Sequence, residues 1–386
     1  MTPALRLTAL RLTDFRSWAQ LDQGFSGRIV VIAGENGAGK TNLLEAISLL
    51  TPGRGLRSAR PGDPARRTAE ARAPAWGVVA GLEGPQGPVQ IATGTTPEAP
   101  DRRAFRLDGT QVRTQAEVSA HVAAVWLTPQ MDALFQENAS GRRAFLDRLA
   151  WALEPHHARE VAAHDNAMAQ RNRLLAEGRR DDRWLAALED AMARHGVAAT
   201  ATRRSLIARL NALLAAGTLG AFPRARLGMV CAIAAALDAA PALAVEDKLR
   251  ADLAANRPVD AAAGGARIGA HRADLTLAQA DSGIPAEQSS TGERKALLVA
   301  TVLGHAGLIA ADRGFAPLLL LDEVAVHLDA GRRRALFEAL AVLPAQSFLT
   351  GTDLDVFAPL AGAAEGFCAS PGILAPAEGF PPPLAS

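Results

Sequence analysis

Residues 28–41 read Arg-Ile-Val-Val-Ile-Ala-Gly-Glu-Asn-Gly-Ala-Gly-Lys-Thr, and this stretch decides the fold. Its first part, 29–33, is a short apolar run rich in β-branched residues, typical of a strand buried on both faces of a sheet. The second part, 34–41, matches the P-loop pattern of a glycine-rich turn ending in Lys-Thr. Leucines and isoleucines then recur at helical spacing up to Leu50. The order strand, turn, helix predicts a phosphate-binding loop.

The chemistry of this loop follows from its residue types. Glycines let the backbone N–H groups turn toward phosphate oxygens, Lys40 neutralises phosphate charge and the Thr41 hydroxyl can ligate Mg²⁺. With only three lysines in 386 residues, a chance match has a probability on the order of 10⁻³. The residues predicted to bind nucleotide here are Gly34, Glu35, Asn36, Gly37, Ala38, Gly39, Lys40, Thr41 and Asn42.

A second motif is the apolar run 318–321 followed by Asp322 and Glu323. At the carboxyl end of a buried strand, Asp322 can hold Mg²⁺ beside the P-loop, and Glu323 can activate the attacking water. The alternative is a strand end with two solvated acids. Together with the P-loop, the pair predicts a nucleotide hydrolase with Glu323, Lys40 and Asp322 as catalytic residues.

The third motif, Ser290-Thr-Gly-Glu293, precedes a long apolar helical pattern. Ser290 and Glu293 fit a helix-capping box. Ser290, Gly292 and the helix N-terminus also fit a γ-phosphate site, to which Lys295 would add positive charge. The two interpretations are compatible.

Composition limits the remaining possibilities. The chain has 49% hydrophobic residues and a net charge of +1, so nucleic-acid contacts would need a local basic patch. Its two cysteines predict neither a disulfide framework nor a zinc site. The N-terminus lacks a signal-peptide core, and the apolar stretch 296–311 is shorter than the roughly 20 residues of a membrane span. We therefore expect a cytoplasmic protein with no membrane partner.

The pattern of elements predicts an α/β fold: a P-loop ATPase head with a mixed sheet and antiparallel β hairpins, interrupted by an α-helical lobe. Hairpin patterns fill 76–113, and a helical period with charged residues between begins near Ser140. The predicted parts are 1–138, the N-terminal part of the ATPase lobe with P-loop and hairpins; 139–221, the helical lobe; 222–370, the C-terminal part of the ATPase lobe; and 371–386, a flexible tail.

Together these motifs resemble the ABC-type ATPase heads of the SMC/Rad50/RecF group. In that group a helical lobe or coiled coil separates the P-loop from the signature motif, and here Ser290 precedes Asp322 by about thirty residues. The resemblance implies that Asp329 is the D-loop residue. It also implies that Gln130 is the Q-loop residue and a Mg²⁺ ligand, with Asp132 as a rival.

Within the group the chain is most similar to the RecF family. The segments that carry this likeness are Leu12–Arg16, Asn42–Ile47, Arg142–Asp147 and Gly269–Leu275. The likeness places Arg16 near the nucleotide base. Where transporters have a switch histidine the chain has 349–352, Leu-Thr-Gly-Thr, which leaves Thr350 or Thr352 as the γ-phosphate sensor. His271 is either a functional residue or a core histidine.

The resemblance implies ATP and Mg²⁺ as cofactors and an ATP-dependent head-to-head homodimer on duplex DNA near single-strand gaps. It further implies weak, DNA-dependent ATP hydrolysis for release, RecR as partner with RecO, and RecA loading downstream. The alternatives are a weakly hydrolysing or non-hydrolysing ATP-gated DNA clamp, and a nucleotide-binding subunit of a membrane transporter.

Direct support for DNA binding comes from a run of arginines after the P-loop helix. Such a loop can contact phosphates without reading sequence, or it can be a solvated loop in an arginine-rich chain. The arginines predicted to contact DNA are Arg54, Arg57, Arg60, Arg66 and Arg67.

Overall fold

The structure, a computed structural model, describes residues 5–69, 71–178, 181–217 and 222–381, without the side chain of His327. The strands are β1 (Arg6–Phe15), β2 (Trp18–Gly24), β3 (Ile29–Ala33), β4 (Gly77–Gly84), β5 (Gly87–Thr96), β6 (Ala99–Leu107), β7 (Thr110–Gln111), β8 (Ala124–Leu127), β9 (Ala225–Val230), β10 (Asp274–Gln279), β11 (Leu318–Leu321), β12 (Ser347–Gly351), β13 (Glu365–Ser370) and β14 (Ile373–Pro376). The helices are α1 (Lys40–Ser48), α2 (Gln115–His121), α3 (Ala139–Leu153), α4 (His157–Ala176), α5 (Asp182–Ala215), α6 (Ala232–Ala239), α7 (Ala242–Ala255), α8 (Arg257–Ala263), α9 (Thr291–Arg313) and α10 (Ala330–Val342).

The chain divides into two compact units. Unit 1 comprises Met1–Asp132, Gly217–Pro223 and Ser290–Ser386, and unit 2 comprises Ala133–Ala216 and Arg224–Ser289. Unit 2 extends further than the predicted helical lobe of 139–221, because it also contains Arg224–Ser289, which lie in the segment 222–370 that was assigned to the ATPase lobe. The reason is packing: strand β9, which pairs with β10, and helices α6 and α7 pack against α5, so this segment belongs with the helices.

Unit 1 contains a six-stranded sheet in the order β14-β13-β3-β12-β11-β8. All neighbours are parallel except β14, which pairs antiparallel with β13. The register sets Ala33 opposite Gly351, and Leu321 opposite both Leu349 and Leu127. The carboxyl ends of four strands therefore meet at one edge, and both predicted buried strands are confirmed.

A second sheet of unit 1 has the antiparallel order β2-β1-β4-β5-β6-β7. It contains the hairpins predicted for 76–113. Asp108 and Gly109 connect β6 to β7 with φ of 47° and 79°, as the Asp-Gly signal indicates. Helix α9 is long and apolar enough to span a membrane by length and composition alone, but 83% of its most apolar window is buried. Its burial is that of a core helix.

Unit 2 is built on α3, α4 and α5, the helices expected from the periodicity, with a two-stranded sheet of β9 and β10. Its interior holds a buried ionic cluster in which Arg171 pairs with Glu189 and Asp260 at 3.0 and 2.8 Å. Helices α6, α7 and α8 were not predicted, because residues 232–263 are alanine-rich and carry little periodic signal.

The prediction of a flexible tail from 371 is wrong for residues 371–381. There β14 pairs with β13, and Phe380 is 7% exposed against Gly366, whose amide donates to the Phe380 carbonyl. Strand pairing and a buried aromatic ring outweigh the proline-rich composition on which the prediction depended. Residues 382–386 lie outside the described part.

Candidate functional site

The P-loop lies between β3 and α1, as predicted. Gly37 and Gly39 have φ of 87° and 95°, a region that residues with side chains rarely adopt. The indole nitrogen of Trp18 donates to the carbonyl oxygen of Gly39 (3.4 Å), and the buried ring packs at the start of α1. The loop therefore turns tightly at these two glycines before α1 begins. The first amides of α1 are left available to an anion.

Lys40 is buried at 4% exposure inside this loop. Its ammonium group donates to the carbonyl oxygens of Gly34 and Glu35 at 2.7 and 3.0 Å. Among the described residues it has no carboxylate partner, so a buried positive charge is held by the loop's own backbone. This is a group suited to an incoming phosphate.

Thr41 and Asp322 join the two motifs directly. The Thr41 hydroxyl lies 3.0 Å from both carboxylate oxygens of Asp322. Asp322 is 2% exposed, and burial raises its pKa, opposed by hydrogen bonds from Thr350 and Thr41. A buried carboxylate and a hydroxyl, with no cationic side chain paired to them in the described chain, form an oxygen donor set of the kind that Mg²⁺ prefers.

Thr350, at the end of β12, connects the two acids of the second motif. Its hydroxyl donates to Asp322 Oδ1 (2.7 Å) and accepts a hydrogen bond from the Glu323 amide (3.0 Å). Glu323 has a left-handed backbone, φ 52°. Within the described residues its carboxylate has no hydrogen-bond or ion-pair partner, which fits a group that acts on a water molecule.

Gln130 and Asp132 follow β8, the strand beside β11. Gln130 is exposed three residues after the strand, at the edge where Asp322 lies. Asp132 instead accepts from Lys295 Nζ at 3.2 Å, and Lys295 is 2% exposed. The Lys295 charge is therefore neutralised by Asp132, and the expectation that it adds charge for a phosphate is wrong.

Ser290 caps α9, and its capping box with Glu293 is confirmed. Both residues are exposed, and the hydrogen bonds from Ser290 lower the pKa of Glu293. Asp329 caps α10 through the Arg332 amide (2.8 Å) and lies 3.4 Å from the Arg332 guanidinium. That guanidinium faces Gly292, where an added Cβ would lie 2.6 Å from it. The D-loop and signature candidates are thus neighbours.

Arg16 is anchored on α1. Its guanidinium binds both carboxylate oxygens of Glu45, at 2.8 and 2.5 Å, and also the Asp63 carbonyl. Arg57 reaches the same Glu45 (3.1 Å) and Asn42 (2.7 Å). Arg16, Arg57 and Asn42 border a cavity of about 500 Å³ next to the P-loop helix, here called the α1 cavity.

The predicted DNA-contacting arginines do not form one cluster. Arg57 and Arg67 line the α1 cavity, whereas Arg54 and Arg60 line a different cavity. Arg66 is half-buried, and its amide donates to the Asp14 carbonyl (2.7 Å). A count of arginines along the chain does not tell on which side of the loop each one lies.

Glu45 is the site residue that the sequence analysis missed. It is fully buried on α1 and organises two arginines, Arg16 and Arg57. The available signal was a single acid inside the apolar run 43–47. An acid in such a position requires a cationic partner, because a buried unpaired carboxylate is costly.

His271 lies in unit 2. Its Nε2 is 2.9 Å from the Ala266 carbonyl, and its ring is 5.6 Å from that of His164. Burial lowers its pKa, so the neutral form is favoured. These contacts support the core-histidine interpretation.

Comparisons with known proteins agree on one family. Residues 6–358 match the RecF/RecN/SMC N-terminal domain. "DNA replication and repair protein RecF" of Mesorhizobium japonicum is 44% identical over 98% of this chain and all of that protein. The protein of the same name from Rhizobium meliloti is 46% identical over 91% of this chain and 93% of its own length.

Solved structures show the same fold. One described as the recombination mediator protein RecF with ATP in the RecFOR pathway has a TM-score of 0.83 at 20% identity, covering 98% of this chain and 99% of that one. An Smc head bound to the C-terminal winged-helix domain of ScpA has a TM-score of 0.54 at 16% identity, with 96% of both chains covered. The fold is therefore that of an ABC-type ATPase head, and the chain belongs to the RecF family.

Proposed function

We propose that this chain binds and hydrolyses ATP and couples the nucleotide to DNA binding in gap repair and replication restart. The observation that carries the proposal is the 3.0 Å contact of the Thr41 hydroxyl with Asp322, which unites the P-loop with the acidic strand end. Membership of the RecF family supports the same function. It leaves the alternative of a transporter subunit without support.

Each residue of the site has a distinct task in this proposal. The loop amides from Gly34 to Lys40 bind phosphate oxygens, and the Lys40 ammonium moves from its carbonyl partners to the phosphates. Thr41 and Asp322, with Gln130 nearby, would hold Mg²⁺, which supplies neutralising charge between the phosphates. The free carboxylate of Glu323 orients a water molecule and accepts its proton. Arg16 and Asn42, on the α1 cavity, hold the nucleoside.

The signature motif acts on the nucleotide of a second copy. Helix α9 packs against β8, and two strands, β12 and β11, separate β8 from β3 and its P-loop. Neighbouring strands lie about 4.8 Å apart, so β8, against which α9 packs, lies about 14 Å from β3. The exposed Ser290 and the half-buried Gly292 therefore face a partner's γ-phosphate, which makes ATP the link of a head-to-head homodimer.

The dimer binds duplex DNA near single-strand gaps, and hydrolysis releases it. RecR is the expected partner, with RecO, and RecA is loaded downstream. The protein acts in the cytoplasm. Support for this part comes from the family to which the chain belongs.

The first test is steady-state ATP hydrolysis by the full chain with and without gapped duplex DNA. We expect turnover that DNA stimulates and that Ser290→Arg abolishes, since the arginine would fill the space for a partner's phosphate. Ser282→Arg, on an exposed turn of unit 2, is the matched control. Turnover that is indifferent to DNA would contradict the coupling, and ATP binding without any turnover would favour the clamp.

A further inference from the structure

A second cavity in unit 1 has no part in the nucleotide site. It has a volume of about 550 Å³ and lies between the loop 53–64 and the strands β6 and β7. We call it the arginine cavity, because five arginines line it: Arg54, Arg60, Arg102, Arg103 and Arg113. One acid, Asp101, is the sole carboxylate among its described lining residues.

The positive charges of this cavity are not compensated within the described chain. The guanidinium groups of Arg54, Arg60, Arg102 and Arg113 have no hydrogen-bond or ion-pair partner there, and Asp101 forms no ion pair. Elsewhere in the same unit, arginines such as Arg16 are anchored by carboxylates. Like charges gathered in one concave surface repel each other and raise the local concentration of anions.

Arg103 adds a charge that is deeper than the others. Burial lowers its pKa to about 10, which still leaves it charged at neutral pH. Its guanidinium lies 4.6 Å from the centre of the Phe105 ring and donates one long hydrogen bond, to the Thr51 carbonyl at 3.5 Å. A partly desolvated guanidinium interacts strongly with an anion that enters the cavity.

The aromatic residues of the cavity are already engaged. Arg103 covers Phe105, and Trp76 is 3% exposed, packs edge-on against Phe15 at 5.5 Å and donates to the Pro61 carbonyl. No aromatic face among the described lining residues is left for a base to stack on. The cavity therefore suits phosphate groups and not nucleobases, and contacts of this kind carry no sequence information.

We propose that the arginine cavity binds the phosphodiester backbone of a DNA strand. Its volume is in the range of small-ligand cavities, about 300–1,000 Å³, which admits one or two nucleotides of a strand but not a duplex. The inference rests on the proposed DNA-binding function and deepens it: the phosphates meet Arg54 and Arg60 on one wall and Arg102 and Arg113 on the other. Arg57 and Arg67 belong to the α1 cavity instead.

The test measures binding of fluorescent single-stranded and gapped DNA by anisotropy over a series of salt concentrations. The variant Arg102→Gln/Arg113→Gln removes two exposed charges from one wall, and Arg54→Gln/Arg60→Gln removes two from the other. Arg11→Gln/Arg334→Gln removes the same charge from exposed positions elsewhere on unit 1. Thermal unfolding and binding of a fluorescent ATP analogue are measured for every variant.

We expect each cavity variant to bind single-stranded DNA about tenfold more weakly at 0.15 M salt, with a salt slope smaller by about 1.4, since each lost phosphate contact contributes about 0.7. The control pair and all ATP affinities should be unchanged. Wild-type DNA affinity in both cavity variants would overturn the inference and leave the proposed function standing. A wild-type protein that binds ATP but no DNA would overturn the DNA part of the proposed function itself.

Inorganic tripolyphosphate separates a DNA strand from a free polyphosphate. If the cavity holds a strand, tripolyphosphate competes only at concentrations far above those of DNA phosphate. The opposite result has three parts: tripolyphosphate binds tightly to the wild type, the cavity variants lose that binding, and their DNA affinity is normal. In that case the ligand is a free polyphosphate and the inference is wrong.

Discussion

At the scale of a single residue, Thr350 holds two groups of the candidate site at once. It donates to Asp322 and accepts from the Glu323 amide, so it fixes the carboxylate and the backbone of its neighbour. Thr352, its rival as γ-phosphate sensor, is exposed and has no hydrogen-bond partner in the described chain. The structure thus favours Thr350 as the residue that positions the two acids.

Thr350→Val should lower kcat for ATP about 10- to 100-fold and leave ATP affinity nearly unchanged. Leaving a buried polar group unsatisfied costs about 1–3 kcal/mol, and each 1.4 kcal/mol corresponds to a factor of about ten in rate. Steady-state kinetics together with equilibrium ATP binding measure the two effects separately. Thr350→Ser should restore turnover, and Thr352→Val should resemble the wild type; equal losses in both valine variants would argue against this role.

The burial of Asp322 lowers the stability of the folded protein at neutral pH, although the proposed activity needs this carboxylate. Because burial raises its pKa above the unfolded value of about 3.9, the folded state favours the protonated carboxyl. The free energy of unfolding therefore falls as pH rises through the window between the two pKa values. Asp322→Asn should remove this loss and raise Tm at pH 7 by about 2–4 °C, the shift that about 1 kcal/mol gives in a domain of this size.

The same substitution should abolish Mg²⁺-dependent hydrolysis, since an amide is a poorer Mg²⁺ ligand than a carboxylate. Thermal unfolding of the nucleotide-free protein at pH 5 and pH 7, with a hydrolysis assay, checks both effects. The difference in Tm between variant and wild type should shrink at pH 5. A variant that is less stable than the wild type at pH 7 would contradict the argument.

Among the elements, the loop after α1 serves two cavities. Arg57 faces Asn42 and Glu45, whereas Arg60 faces the arginine cavity. Arg57→Gln should weaken ATP binding about tenfold through the loss of charge-assisted hydrogen bonds, with DNA affinity at saturating ATP unchanged. Titration with a fluorescent ATP analogue measures the effect, and Arg60→Gln is the matched control, which should keep its ATP affinity. Equal losses of ATP affinity in both variants would show that Arg57 and Arg60 serve the same site, against this argument.

Helices α4, α5 and α8 of unit 2 depend on a buried ionic cluster. Arg171 is fully buried between Glu189 and Asp260 and also donates to the Leu253 carbonyl (2.7 Å). Arg171→Met should destabilise the protein by about 3–5 kcal/mol, because it leaves the buried Asp260 without its cationic partner and Glu189 with Arg257 alone. Arg194→Met, which breaks the exposed pair with Asp190, should cost less than about 1 kcal/mol. Urea unfolding followed by circular dichroism compares them, and equal effects would show that the cluster is not essential.

Sequence reasoning succeeded where one local signal decided an element. The apolar runs ending at Ala33 and Leu321 predicted buried strands, and the Gly-rich turn with Lys40 predicted the loop between β3 and α1. It failed where partners are distant in sequence. Nothing near Lys295 reveals Asp132, and nothing in the proline-rich segment after 371 reveals that Phe380 packs on Gly366. The same holds for residues 224–289, whose place in unit 2 depends on packing against α5.

For the whole molecule, the decisive question is whether each ATP is bound by two copies of the chain, the P-loop of one and the signature motif of the other. Glu323→Gln should bind ATP but hydrolyse it at least 100-fold more slowly, since the proposed general base is lost. The ATP-bound dimer should then persist, which sedimentation velocity with and without ATP detects. Ser290→Arg added to Glu323→Gln should abolish the dimer and keep ATP binding. A Glu323→Gln protein that stays monomeric with ATP would count against the shared site.

The strand order of the parallel sheet has a consequence for folding during synthesis on the ribosome. Strand β3, which leads into the P-loop, has β12 and β13 as its neighbours, more than 300 residues later in the chain. At a synthesis rate of about 5–20 residues per second, the nascent loop waits roughly 15–60 s for the strands that complete its sheet. A ribosome that stalls before β12 therefore releases a product unable to assemble the nucleotide pocket. Such a fragment also lacks Thr350, which in the full chain binds the Asp322 carboxylate and the Glu323 amide.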